Sequence, residues 1–140
     1  MIKSGCIFAL LAAALAASPP AGAAGALAVG STSDVSKDGI AVGTSINYDT
    51  AEEARAAALK RCREYKPAPK AAAMCQSVGT FKSECYAVSF DPKPGTPGAG
   101  WAIASTKALA EERALENCKA TAGGSRRDFC RIEESKCDEK

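Results

Sequence analysis

One helical segment occurs twice in this chain. Thr50-Ala51-Glu52-Glu53-Ala54-Arg55-Ala56-Ala57-Ala58-Leu59-Lys60-Arg61-Cys62 returns as Thr106-Lys107-Ala108-Leu109-Ala110-Glu111-Glu112-Arg113-Ala114-Leu115-Glu116-Asn117-Cys118. Thr50, Ala54, Ala58, Leu59 and Cys62 fall on Thr106, Ala110, Ala114, Leu115 and Cys118. Each copy ends on a cysteine, and a further cysteine follows each, Cys75 and Cys130. Thr50 with Glu53 fits a capping box, whereas Thr106 has Leu109 at the matching place and keeps half of it. Ala51, Ala54, Ala58, Leu59 and Cys62 recur at three- and four-residue steps and form one apolar stripe. Alanine on that stripe lets a helix lie close to a sheet.

The flanks of the two helices also match. Ala26-Leu27-Ala28-Val29 opens the first half and Tyr86-Ala87-Val88-Ser89-Phe90 the second. A polar stretch follows the first, residues 31–38, and a Pro/Gly-rich loop follows the second, residues 91–98. A second strand comes next. Gly39-Ile40-Ala41-Val42-Gly43-Thr44 aligns with Gly100-Trp101-Ala102-Ile103-Ala104-Ser105. After each helix a loop (residues 66–70 and 121–127) leads to a closing strand, near residues 75–81 and 129–133. The prediction is an α+β fold: a tandem, pseudo-twofold repeat of strand–strand–helix–strand units, about residues 25–84 and 85–137. The period is too long for a short-repeat solenoid. One unit alone leaves a sheet face uncovered, so the halves are expected to share a core.

Residues 1–24 read as a leader. Lys3 supplies a positive start, Ile7 to Ala17 is apolar, and Ala21-Gly22-Ala23 is a small-residue cleavage site. Cleavage is expected after Ala23 or Ala24, ahead of Ala26, where a cut would trim the first strand, with Cys6 leaving in the leader. That leaves a single domain over residues 25–140 with a short polar C-terminal tail. The expected location is periplasmic or secreted, with no membrane span.

Six of the seven cysteines lie beyond the leader: Cys62, Cys75, Cys85, Cys118, Cys130 and Cys137. An even set in an exported chain reads as three disulfides. A pairing should look alike in both halves. The preferred scheme joins Cys62 to Cys75, Cys118 to Cys130, and Cys85 to Cys137, the last expected to tie the halves together. A rival joins Cys62 to Cys118, with Cys75–Cys85 and Cys130–Cys137 local.

The opening Gly25-Ala26-Leu27-Ala28-Val29-Gly30, the helix end Leu59-Lys60-Arg61-Cys62 and the return Glu84-Cys85-Tyr86-Ala87-Val88 resemble the bacterial secreted family called domain of unknown function 4189. So do Gly100-Trp101-Ala102-Ile103 and Ala114-Leu115-Glu116-Asn117-Cys118. The resemblance covers about residues 25–137 and implies export and paired cysteines, without a mechanism. It also marks two departures. The loop over residues 65–74 is long, and Ile40 stands where such domains often carry tryptophan.

Chemistry is sparse. The chain has no histidine, which removes Ser-His-Asp and Cys-His nucleophile arrangements and the commonest metal ligand. The cysteine spacings contain no C-x-x-C pair, so no metal or cofactor is expected. Three adjacent carboxylate pairs stand out. Glu52-Glu53 suits capping and Glu111-Glu112 a solvated helix face. Glu133-Glu134, in a closing strand, should point to opposite faces. Lys and Arg number 18 against 16 Asp and Glu, so nucleic acid is not an expected partner. Tyr86, Trp101, Arg126 and Arg127 are the candidate contact residues; the two aromatics serve as a surface if they face outward and as core if they face inward.

The function expected from these residues is non-enzymatic protein binding, toward an envelope or host protein. The alternative is an inhibitor or immunity protein against a secreted hydrolase or toxin, with residues 91–100 as a plug. A histidine-free, carboxylate-based enzyme is a third reading that no motif favours.

Overall fold

Alternation along the first strand decides the layering. In β1 (Ala24–Ser31), Ala24, Ala26 and Ala28 point to a helix, whereas Leu27 and Val29 point the other way. Both faces are buried, which is unusual for a strand in an antiparallel sheet and demands a layer on each side. The computed structural model describes residues 24–139. The expected leader lies outside them except for Ala24, the first residue of β1; a cut after Ala23 is the one that leaves the strand whole.

A one-turn helix, α1 (Val35–Asp38), leads to β2 (Ile40–Tyr48) and α2 (Ala51–Arg63). A second one-turn helix, α3 (Pro69–Ala72), occupies the long loop before β3 (Gln76–Phe81). The second half runs β4 (Cys85–Phe90), β5 (Ala99–Ala104), α4 (Lys107–Thr121), a 3-10 turn (Arg127–Phe129) and β6 (Arg131–Cys137). The sheets have strand orders β2-β1-β3 and β5-β4-β6, antiparallel throughout. Helix α2 covers the outer face of the first sheet and α4 that of the second. Leu27, Val29, Phe81, Tyr86 and Val88 meet between the sheets, with Ile40, Val42, Ile46, Phe90, Trp101 and Ile103 packed around them. This is the shared core that the repeat requires.

The helices begin as their sequences predict. Thr50 Oγ1 accepts from the Glu53 amide at 3.1 Å, and Thr106 Oγ1 from the Leu109 amide at 3.2 Å. Ala54, Ala58 and Cys62 are buried, as are Ala110, Ala114 and Cys118. Leu59 is half-buried and Ala51 is exposed, so the stripe is narrower than its periodicity suggests.

The helix-to-strand contacts set the register of the repeat. A Cβ on Gly43 would collide with the Ala58 carbonyl and the Cys62 amide; one on Gly100 would collide with the matching Ala114 and Cys118 groups. Arg61 donates to the Thr44 carbonyl, and Asn117 donates to the Trp101 carbonyl at 2.9 Å. Gly43 is therefore the twin of Gly100, and Thr44, not Ile40, is the twin of Trp101. The strand alignment read from sequence is four residues out. Apolar alternation in β2 continues past Gly43 to Ile46, so either register satisfied the pattern, and only the helix contact distinguishes them.

All three disulfides follow the preferred pairing: Cys62–Cys75, Cys118–Cys130 and Cys85–Cys137. The role expected of the third is corrected. Cys85 and Cys137 are directly opposed on β4 and β6, within the second sheet, so no bridge runs between the halves. Polar contacts at the chain end do. The Asp138 carboxylate accepts from the Asn47 amide at 3.0 Å and the Ser83 amide at 3.3 Å. Both residues have positive φ (61° and 53°), and Asp138 is only 4% exposed. The tail is anchored at this point.

Candidate functional site

The two halves leave a trough where their strand–loop ends meet. One wall is α1 with the start of β2; the other is the loop over residues 91–98. The outer part has a volume of about 450 Å³ and includes Tyr65, Pro67, Phe90, Pro92 and Pro94. It adjoins an inner cavity of about 170 Å³ through Ile40, Tyr65 and Phe90, which line both. The inner cavity is completed by Val42, Thr44, Val88, Glu133 and Glu134. Tyr65 is 41% exposed, one of four large hydrophobic side chains left open to solvent among the described residues.

The loop wall is held by a buried ion pair. Arg126 donates through Nε and an Nη to the two Asp91 carboxylate oxygens at 2.7 and 2.6 Å. The Asp91 side chain has no solvent exposure, and it also accepts from the Lys93 amide at 3.0 Å. The Arg126 guanidinium beside it holds the Asp91 carboxyl down at about 2. Arg126 also lies 4.0 Å over the Phe129 ring. On the opposite rim, Asp38 accepts from Lys70 Nζ at 3.0 Å and Thr32 Oγ1 at 2.9 Å, and these bonds lower its carboxyl below the ordinary range.

Glu133 and Glu134 reach one cavity because β6 is bulged. Glu134 opposes Val88 and Ile132 opposes Ser89, so Glu133 is an extra residue in the ladder. A bulge breaks the strict two-residue alternation and re-aims a side chain. The expectation that this pair splits across the sheet is corrected: both residues line the inner cavity. β3 has the same bulge at Val78, between Gly79 opposite Leu27 and Ser77 opposite Ala28. Glu133 and Glu134 are thus the twins of Val78 and Gly79. The shared cysteine start of the closing strands (Cys75, Cys130) exposes that correspondence in sequence, but no residue type in either strand signals the bulge.

The Tyr86 phenol lies beside Thr44 and Glu134. Burial, helped by the Glu134 charge, pushes the phenol up, so it stays protonated. Burial also opposes charge on Glu134, but Lys136 and the Tyr86 and Thr44 hydroxyls outweigh it, and its carboxyl titrates below its ordinary value.

The candidate contact residues from sequence are therefore dispersed. Tyr86 is 1% exposed and belongs to the inter-sheet core, the inward-facing of its two readings. Trp101 is half-buried against the same core. Arg126 is engaged by Asp91, so it braces the trough wall instead of offering a free charge. Arg127 is exposed. The six cysteines are all bridged, which leaves no thiol nucleophile among them. No group of three or more Cys, Asp or Glu among the described residues is placed to hold a metal ion.

A family model, Domain of unknown function (DUF4189), matches residues 24–137. The chain belongs to this family. No curated protein and no solved structure matches it. The match to DUF4189 spans both repeats and every bridged cysteine. It starts on the first residue of β1 and ends on the last of β6, so the DUF4189 unit coincides with the two-sheet body. No described helix of the DUF4189 domain is long and apolar enough to cross a membrane.

Proposed function

We propose that this domain is a non-enzymatic protein-binding module that works outside the cytoplasm, in the periplasm or after secretion, on an envelope or host protein. The observation that carries the reading is the trough between the halves: an open cleft with aromatic and proline walls, braced by a buried ion pair. Concave apolar surfaces with a few fixed polar groups suit recognition. Three disulfides suit an oxidising compartment. The absence of histidine and the bridging of all six cysteines favour binding over catalysis.

The test is cross-linking capture from envelope and host-surface extracts. The wild-type domain should recover a partner that Tyr65→Arg loses and Met74→Ser, at an exposed site outside the trough lining, retains. Recovery of nothing above background, or equal loss in both variants, would overturn the reading.

The inhibitor or immunity reading is the alternative. Its support is the Asp91–Arg126 brace, which holds a proline-rich loop in one shape, as a plug for a cleft would need. Replacing residues 92–97 by Gly/Ser should then abolish inhibition of a secreted hydrolase.

A further inference from the structure

We propose that the inner cavity beside Thr44 receives a lysine or arginine side chain of a protein partner, its stem against Ile40 and Phe90 and its cationic head at Glu133 and Glu134. This rests on the reading of the trough as a protein-binding surface and names the chemistry that surface selects.

Three observations converge on it. The first is size. At about 170 Å³ the cavity falls below the roughly 300–1,000 Å³ of sites for whole small ligands, which suits a single side chain entering from the wider trough. The second is the wall. Aliphatic and aromatic groups, Tyr65 and Phe90 among them, share the cavity lining with two carboxylates, Glu133 on an exposed residue and Glu134 on a half-buried one. Lysine and arginine have that amphipathic form, an apolar stem and a charged head, and aromatic faces attract cations. The third is the broken repeat. Thr44 stands where the second half has Trp101, Glu133 where the first half has Val78, and Glu134 where it has Gly79. Each difference acts on the same space. A hydroxyl replaces an indole and leaves room, while two carboxylates replace an aliphatic side chain and a hydrogen.

The charges there favour an incoming cation. Glu133 takes part in no ion pair among the described residues. Glu134 is paired at 2.7 Å with Lys136, a side chain 56% exposed that can yield to a competitor at little cost. Arg61, on α2, approaches from behind Thr44 but is engaged by the Thr44 carbonyl.

The experiment is an NMR titration of the domain with acetyl-Gly-Lys-Gly-amide, with norleucine and glutamate counterparts as controls. The lysine peptide should give saturable shifts at Thr44, Tyr65 and Glu133. The norleucine peptide, and the lysine peptide on Glu133→Gln/Glu134→Gln, should bind about tenfold more weakly, and the glutamate peptide should not bind. Thr44→Trp, which installs the side chain the twin position already accommodates, should abolish the response with an unchanged circular dichroism spectrum. Equal binding of lysine and norleucine, or an undiminished response in the glutamine variant, overturns the proposal. The two readings separate cleanly. Loss of the peptide response with retained Tyr65-dependent capture removes the cavity alone, and absent capture with a saturating peptide removes the trough reading alone.

Discussion

Asp91 and Arg126 are 35 residues apart in sequence and close a bidentate pair that shapes the trough wall. Because the folded Asp91 carboxyl is held down at about 2 against an ordinary 3.8, its pairing contributes stability in full above the ordinary value. The contribution is lost as pH falls through the folded value. The gap in urea midpoint between the wild type and Asp91→Asn should therefore be wide near about pH 5 and close by about pH 2; a gap that stays constant would show that the pair does not titrate with folding. Tyr86→Phe makes a second residue-scale test. It removes a buried hydroxyl that helps hold the Glu134 carboxyl down, so it should raise that carboxyl, read by side-chain NMR titration. Neither role was legible in the sequence. Asp91 reads as loop polarity, and Tyr86 reads as surface or core alike, because a strand buried on both faces has no polar alternation to reveal which face meets the core. Glu133 and Glu134 were visible as a pair, but one inserted residue in the ladder decided where they point.

At the scale of elements, much was readable. The Thr caps, the alanine stripes and the closing cysteines fixed two helices and their order between strands, since these are local signals with a 3.6-residue period. β6 ran longer than expected, to Cys137. Beyond Glu133 its Glu134-Ser135-Lys136 run has no apolar alternation to extend the strand, yet an edge strand tolerates charge and uses it to discourage further pairing. The strand register was not readable. It depends on Gly43 and Gly100, where helix backbone meets strand backbone too closely for any Cβ. Gly43→Ala and Gly100→Ala should each push a helix off its sheet and cost about 1–3 kcal/mol in chemical denaturation. Gly124→Ala, where nothing lies within 4 Å, should be neutral. Similar losses at all three would mean the helices are not seated as closely as the repeat requires.

Over the whole molecule, the bridges are unevenly shared: one in the first half, two in the second. On the chain-entropy account, removing Cys85–Cys137 by paired alanine substitution should cost about 4 kcal/mol and removing Cys62–Cys75 about 3, measured by urea denaturation. What joins the halves is the apolar layer between the sheets, the short link over residues 82–84, and the grip of Asp138 on Asn47 and Ser83. A protease cut after Lys82 would therefore release two separate polypeptides on a non-reducing gel, with no reductant needed. In native buffer they should stay associated as a complementing pair. The protein would then behave, after one nick, as a heterodimer of its own two parts.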